Sequence, residues 1–258
     1  MRLIDSHAHI YVEEFKEDRN EMIERSMEAG LERIYMPNID GTSIDDMLQV
    51  ADRNKGYCIP MMGLHPCSVD KHFEKELYKV EEWLAKSPGL FCAVGEMGTD
   101  LYWDKTYFEQ QKEAFRIQCE LALKHHLPIV IHCRESIDET IELVEEFSDR
   151  GLRGVFHCFT GSMEQANKVI DLGFYLGIGG VATFKNGGLI DLLPDFPLEK
   201  IVLETDSPYL APTPLRGKRN EPAYISYVAE KIALAKNLDV EKIGEIACEN
   251  TATLFKAN

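Results

Sequence analysis

The sequence predicts an α/β fold, a single-domain (β/α)8 TIM barrel over residues 1–258, from three observations. Short apolar runs alternate with longer segments of helical period along the whole chain. About eight such strand–helix units fit this length, which is usual for the barrel. No linker rich in Pro, Gly or Ser, internal repeat or low-complexity tract divides the chain. A doubly wound open sheet is the competing fold, but it ordinarily uses fewer strands in one domain.

Each predicted strand is a short apolar run, and each predicted helix repeats its apolar residues every three or four positions. The predicted strands are 2–4, 33–36, 58–62, 91–94, 128–131, 154–156, 173–176 and 201–203. The predicted helices are 18–29, 43–53, 73–86, 107–126, 136–148 and 163–171, with two more, 223–236 and 240–255, after the last strand. Gly30 is a suitable C-terminal cap for the first helix, and Ser43 with Asp45 and Asp46 suits the start of the second.

The charge balance excludes some classes of function. Lys and Arg number 28 against 44 Asp and Glu, so the net charge of −16 argues against binding nucleic acid or anionic membranes through a broad basic surface. The seven cysteines are an odd number without a CxxC pair, which favours reduced thiols. No apolar segment approaches the roughly 18 residues of a membrane span. We expect a cytoplasmic protein with no targeting segment, no membrane association and no evident obligate protein partner.

Titratable residues follow the predicted strands, at the rim where barrels of this class assemble their chemistry. These rim residues are His7 and His9 after the first strand, Glu96 after the fourth, His132 after the fifth, His157 after the sixth and Asp206 after the eighth. Because side chains alternate along an extended segment, His7 and His9 project to the same side. A polar strand end facing solvent is the alternative interpretation of that pair.

A metal centre explains why these imidazoles and carboxylates would converge, since buried titratable groups are costly unless paired or coordinated. The ligand types suit Zn²⁺, Mn²⁺ or iron, and less comfortably Mg²⁺. Six ligands exceed the need of one open catalytic ion, so we expect two divalent ions bridged by Glu96. Asp206 would be a ligand and the proton acceptor for a bridging hydroxide. Glu204 could orient a ligand from behind, or form an ion pair inside the barrel.

Seven ordered motifs resemble the TatD-type DNase family of metal-dependent hydrolases, in the amidohydrolase superfamily. They are DSHAH (5–9), GLHP (63–66), GEMGTD (95–100), IHCR (131–134), HCFTG (157–161), ETDSPYL (204–210) and PLRGKRNEP (214–222). The resemblance implies a TIM barrel with divalent-metal-dependent exonuclease or deoxyribonuclease activity, and gives the same six residues the role of ligands. It also implies that His65 and Arg134 lie near the substrate phosphate. Thr99 departs from the family, which more often has Leu there.

Other residues are candidates for contact with a nucleic acid. Arg216, Lys218 and Arg219 cluster in a proline-rich segment after Asp206. A solvated basic turn is the default for so short a cluster, but its location near Asp206 favours contact with the substrate phosphate. His65 is expected on the same rim as the metal ligands. Aromatic residues after Glu96 could stack on a nucleobase, although such residues more often pack within a loop. These are Tyr102, Trp103 and Tyr107.

The leading functional expectation is two-metal hydrolysis of phosphodiester bonds at a single-stranded or frayed 3′ end of a nucleic acid. The alternative is a metal-dependent ester or amide hydrolase acting on a small molecule or an aminoacyl-tRNA, because the same chemistry attacks carbonyls. A non-enzymatic metal-binding protein is a third interpretation, against which the complete ligand set argues. Two divalent ions and two carboxylates give the pocket a charge of about +2, which would attract phosphate despite the acidic surface.

Overall fold

Eight parallel strands form a closed barrel wall in the computed structural model, which describes residues 1–256. They are β1 (Leu3–Asp5), β2 (Leu31–Met36), β3 (Cys58–Pro60), β4 (Val94–Asp100), β5 (Ile129–Arg134), β6 (Gly154–Phe156), β7 (Tyr175–Ile178) and β8 (Ile201–Leu203). Strands β1–β3 and β4–β8 pair in chain order within two sheets. Backbone hydrogen bonds from Met62 N to Ala93 O (3.2 Å) and from Ser6 N to Leu203 O (2.9 Å) join the sheets at both seams. The predicted (β/α)8 fold is confirmed.

The helices pack outside this wall. They are α1 (Arg19–Glu28), α2 (Ile44–Arg53), α3 (Phe73–Lys86), α4 (Phe108–His125), α5 (Ile137–Glu145), α6 (Met163–Asp171), α7 (Ile225–Lys236) and α8 (Val240–Phe255). No helix within residues 1–256 has both the length and the apolar character that crossing a membrane requires.

The fourth strand was predicted wrongly. Strand β4 begins at Val94, where the predicted strand 91–94 ends, and it runs to Asp100 with all seven residues buried. Its glycines and polar residues are typical of a turn in sequence, but the barrel pairs them with β5, for example Gly98 with His132. Glu96 therefore lies within a strand rather than after one. Strand β5 likewise extends to Arg134 and includes His132.

The alternation of side chains along the strands links the core to the rim. An inner cluster of buried residues takes Val130 from β5, Val155 from β6 and Val202 from β8, and the end of α8 packs against it through Leu254 and Phe255. Two positions further along the same strand faces come His132, His157 and Glu204. The same periodicity that fills the barrel with apolar side chains therefore directs polar groups to its C-terminal opening.

Gly98 allows β4 and β5 to approach closely, and we predict that G98A is strongly destabilising. Its φ is 149°, and an added Cβ would lie only 1.9 Å from the carbonyl oxygen of His132. The clash and the unfavourable φ together should lower the free energy of unfolding by at least about 3 kcal/mol. Urea denaturation measures this loss.

Gly89 provides the matched control. Its φ is 82°, but no heavy atom beyond its two chain neighbours lies within 4 Å of the position that an added Cβ would take. G89A should therefore cost only about 1 kcal/mol, from backbone conformation alone. Equal losses in the two variants would contradict the close approach of β4 and β5.

Candidate metal centre

The six predicted ligands converge at the C-terminal opening of the barrel, and Glu96 lies between the others. Its Oε2 atom is 3.1 Å from His7 Nε2 and 3.3 Å from His9 Nε2. Asp206 Oδ1 lies 3.8 Å from His7 Nε2 and 3.7 Å from His9 Nε2. These four residues offer two nitrogen and two oxygen atoms around one position.

The other carboxylate oxygen of Glu96 faces a second set of imidazoles. Glu96 Oε1 lies 2.9 Å from His132 Nδ1, 3.5 Å from His65 Nε2 and 3.7 Å from His157 Nε2. His157 Nε2 is also 3.9 Å from Asp206 Oδ1. Glu96 thus divides its two oxygens between two groups of candidate ligands, which is the arrangement that a bridging carboxylate requires.

The donor set fits divalent cations. Ligand atoms about 2.1 Å from one ion lie roughly 3.0 to 3.4 Å apart at octahedral to tetrahedral angles, close to the spacing of His7, His9 and Glu96. Glu96 is 1% exposed, and its Oε2 has no hydrogen-bond partner in the described chain. A buried carboxylate oxygen without a donor is costly, and a bound cation would remove that cost.

The electrostatics of the cluster are set by burial and by the mutual proximity of its members. Burial alone would raise the pKa of Glu96, but His7, His65 and His157 outweigh it and hold that pKa well below its usual value. Burial, together with the charge of His157, lowers the pKa of His7. These two imidazoles stack with their ring centroids 3.4 Å apart, so they cannot both be protonated at low cost.

At His157 and Asp206, neighbouring groups of opposite charge oppose the effect of burial on the pKa. Burial would lower the pKa of His157, but Glu204 and Glu96 raise it to about 10. Burial raises the pKa of Asp206, opposed by the charges of His157 and His9. The buried carboxylates of the cluster therefore favour positive charge beside them, which a cation could supply.

Two further carboxylates hold the histidines from behind. Glu204 Oε1 lies 3.0 Å from His157 Nδ1 and accepts a hydrogen bond from Cys158 N at 2.6 Å. Asp100 Oδ2 accepts a hydrogen bond from His132 Nε2 at 2.9 Å, on the side of the ring away from Glu96. Burial would raise the pKa of Asp100, but this bond, together with backbone hydrogen bonds from Trp103 and Tyr102, outweighs burial and keeps the pKa at about 2.

Sequence reasoning missed Asp100. The available signal was its position four residues after Glu96, which places both side chains on one face of a strand once β4 is recognised as running to Asp100.

Thr99, where the family more often has Leu, is buried and its hydroxyl lies 2.7 Å from Ser136 Oγ and from Thr140 Oγ1. This hydroxyl cluster joins the end of β4 to α5.

Asp5 was also missed, and it fixes the two chain segments that carry His7 and Asp206. Its Oδ1 accepts hydrogen bonds from His7 N (3.1 Å) and Thr205 N (3.0 Å), and its Oδ2 accepts one from the Thr205 hydroxyl. Asp206 N also donates to His7 O at 2.9 Å. Burial raises the pKa of Asp5 to about 8, despite these donors. Asp5 therefore ties the ends of β1 and β8 together.

A cavity of about 710 Å³ opens over the centre, and two of the predicted substrate residues line it. These are His65 and Arg134. The guanidinium of Arg134 lies 3.6 Å from the ring centroid of Tyr102 and 5.6 Å from that of Trp103. Trp103, which is 70% exposed, also lines the cavity.

The basic cluster after Asp206 is positioned differently from the sequence-based expectation. Arg216 and Lys218 are exposed but are not among the residues of the described chain that line the cavity, and Arg216 stacks on Phe184 at 3.7 Å. Arg219 donates two hydrogen bonds to Asp18, at 2.6 and 2.7 Å, and one to Glu14 O. Its hydrogen-bonding capacity is largely used in holding α1, so its contacts do not support a substrate role.

Comparison with known proteins decides the family. The family model described as TatD related DNase matches residues 4–256. The chain belongs to the TatD family. The protein is therefore a metal-dependent hydrolase, as the sequence motifs predict.

Relatives across the TatD family match this chain over nearly their whole length. An uncharacterized metal-dependent hydrolase, YabD of Bacillus subtilis, is 37% identical over 257 residues, covering 99% of this chain and 100% of the relative. A protein named 3′-5′ ssDNA/RNA exonuclease TatD, from Salmonella typhimurium, is 31% identical over 98% of this chain and 99% of its own. The crystal structure of YjjV, a TatD homologue from Escherichia coli K12, superposes with a TM-score of 0.93 at 28% identity and covers 100% of this chain and 99% of that one.

Asp100 holds His132, and we predict that D100N weakens metal binding. Loss of the carboxylate charge removes the restraint on the ring and lowers the basicity of the nitrogen that faces Glu96, so affinity for Mn²⁺ should fall about 10- to 100-fold. Isothermal titration calorimetry of metal-free protein measures the change. D104N is the control, because Asp104 is exposed and bonds only to its own loop at Thr106. Equal affinities in D100N and the unaltered protein would contradict the assigned restraint.

Proposed function

We propose that this TatD-family hydrolase is a divalent-metal-dependent nuclease that removes nucleotides from a single-stranded or frayed 3′ end. One observation carries the proposal: the two oxygens of Glu96 face two separate sets of imidazoles, at the base of a cavity lined by Arg134 and Trp103. The name of the Salmonella relative supports the choice of substrate class.

In this proposal the six converging residues hold two ions, which would be Mg²⁺, Mn²⁺ or Zn²⁺. His7, His9, Glu96 and Asp206 would hold one, and Glu96, His132 and His157 the other. When bound, the ions would activate water for attack on phosphorus and polarise the phosphoryl oxygens.

Side chains of this protein would accept the proton, bind the phosphate and orient the histidines. Asp206 is 15% exposed at the side chain and is the carboxylate that can accept the proton of the attacking water. Arg134 and His65 line the cavity and can donate hydrogen bonds to a phosphate oxygen. Glu204 and Asp100 keep His157 and His132 in orientation while the substrate binds.

The exposed aromatic surface beside the centre suits an unpaired base better than a duplex. Trp103 and Tyr102 present ring area next to Arg134, and Tyr209 also lines the cavity. A base in a duplex is already stacked on its neighbours, whereas a terminal base is free to stack on a side chain. The acidic surface of the chain also opposes extended contact with a duplex.

We further propose that the enzyme works in the cytoplasm, because all seven cysteines are free thiols.

Loss of the bridging carboxylate or of a neighbouring imidazole should abolish metal-dependent release of nucleotides from labelled single-stranded DNA. We expect E96Q and H132A each to reduce kcat/KM by at least about 1,000-fold, because each variant would lose a ligand of the ions that activate the attacking water. H72A is the control, since His72 is exposed at the start of α3. Circular dichroism establishes that the variants fold. Undiminished activity in both variants would refute the proposed site.

Trp103 should contribute to binding of the terminal base. W103A is expected to raise KM for single-stranded DNA about 10-fold or more, with a smaller effect on kcat, because base–aromatic stacking contributes roughly 1–3 kcal/mol. Y78A serves as control, since Tyr78 on α3 is also exposed, at 66%, but lies outside the cavity lining. An unchanged KM in W103A would exclude this stacking role.

Single-stranded RNA, duplex DNA and a small carboxylic ester, assayed in parallel, test the substrate class.

A further inference from the structure

A second cavity, of about 750 Å³, lies at the opposite end of the barrel from the metal centre. Its lining comes from the N-terminal ends of several strands and from the end of α8, including Arg33 and Tyr35 of β2, Phe91, Arg153 and Phe255. Much of the interior surface is apolar, and the Tyr35 and Phe255 rings stack there with centroids 4.4 Å apart. A volume of this size is within the range of small-molecule sites.

The charge of this cavity is opposite to that of the chain. Five basic side chains line it, while the lining contains one acid, Asp52, which is already paired with Lys55 at 2.9 Å. The other basic residues are Arg33, His126, Arg153 and Lys256. Among the residues that the structure describes, none of these four has a carboxylate within ion-pair distance. In a protein with 44 acidic residues, this absence of counter-charges is a local exception.

Two of these cations are half-buried and lie on the inward faces of their strands. Arg33 precedes Tyr35 by two residues on β2, and Arg153 precedes Val155 by two at β6, so each shares the inward face of its strand. Arg153 donates a hydrogen bond to His126 O at 3.2 Å, but its Nε atom is buried and has no partner in residues 1–256. A buried guanidinium nitrogen without an acceptor is costly, and an anion would remove that cost.

The Tyr35 hydroxyl gives an independent sign of a missing acceptor. Tyr35 is 1% exposed, and its hydroxyl has no hydrogen-bond partner within the described chain. The neighbouring Arg33 can only donate, so it cannot accept the phenolic proton. Buried hydroxyl groups are rarely left without a partner. The cavity therefore presents donors that lack an acceptor, above an apolar floor.

We propose that this cavity is a second binding site, separate from the metal centre, for a small organic anion that carries a carboxylate or phosphate on an apolar body. The anionic group would lie between Arg33 and Arg153 and accept the Tyr35 proton, and the apolar body would cover Phe91 and the adjoining floor. An inorganic anion would leave that floor uncovered. This inference does not depend on the proposed nuclease activity, because none of these residues lies at the metal centre.

Isothermal titration calorimetry with two probes tests the site, namely sodium decanoate for a carboxylate and dAMP for a phosphate. We expect at least one probe to bind with one-to-one stoichiometry, and R33Q and R153Q each to weaken that binding at least 10-fold. R116Q is the matched control, since it removes the same charge from a surface pair with Glu146. Binding of decanoate alone identifies a carboxylate ligand, and binding of dAMP alone identifies a phosphate.

A second pair of variants keeps the test decisive if the inward arginines prove necessary for folding. Leu90 lines the cavity and is 41% exposed, so both L90D and L90N should fold. The added charge of L90D should repel the anion, whereas the neutral L90N should leave binding unchanged. We expect weaker binding in L90D only. The proposal is overturned if neither probe binds at millimolar concentration, or if binding is unaffected by R33Q, R153Q and L90D. Metal-dependent hydrolysis in these variants reports separately on the nuclease proposal.

Discussion

A carboxylate buried among imidazoles is the constraint on which the rest of this structure depends. Glu96 is almost completely desolvated, and one of its oxygens finds no donor in the described protein. Burial of that charge is tolerable only because nitrogen atoms surround it on two sides. Strand β4 therefore has to be held deep in the barrel opening, and its close pairing with β5 through Gly98 achieves this. The histidines in turn need carboxylates behind them, which Asp100 and Glu204 provide.

This arrangement builds the site on the barrel wall and on the residues that directly follow its strands. The strand periodicity that buries Val130 and Val155 also aims His132 and His157 at Glu96. Asp5 joins the segments that follow the first and last strands, so β1 and β8 meet at the metal centre. The substrate would meet a rigid set of ligands, while the aromatic and basic groups around the rim are the more exposed part of the site. Such rigidity suits chemistry that depends on preorganised charge.

The fold and the six converging side chains could be predicted from the sequence, because both follow from the alternation of strands and helices and from motifs near strand ends. Residues whose roles depend on pairing across the barrel could not. Asp100 lay outside the predicted strand 91–94, since β4 is rich in glycine and polar residues that become strand only through contact with β5. Arg219 was predicted to contact phosphate because it is near Asp206 in sequence, but Asp18, which is about 200 residues away in sequence, accepts its hydrogen bonds. The basic cavity at the opposite end also draws its residues from distant segments.

The most direct test of the central claim is to locate the metal ions. Crystals grown with Mn²⁺ give an anomalous signal that identifies each ion and its ligands without reference to activity. We expect two ions on opposite sides of the Glu96 carboxylate, one contacted by His7 and His9 and the other by His132. A single ion bound by one oxygen of Glu96, or ions bound elsewhere, would contradict it.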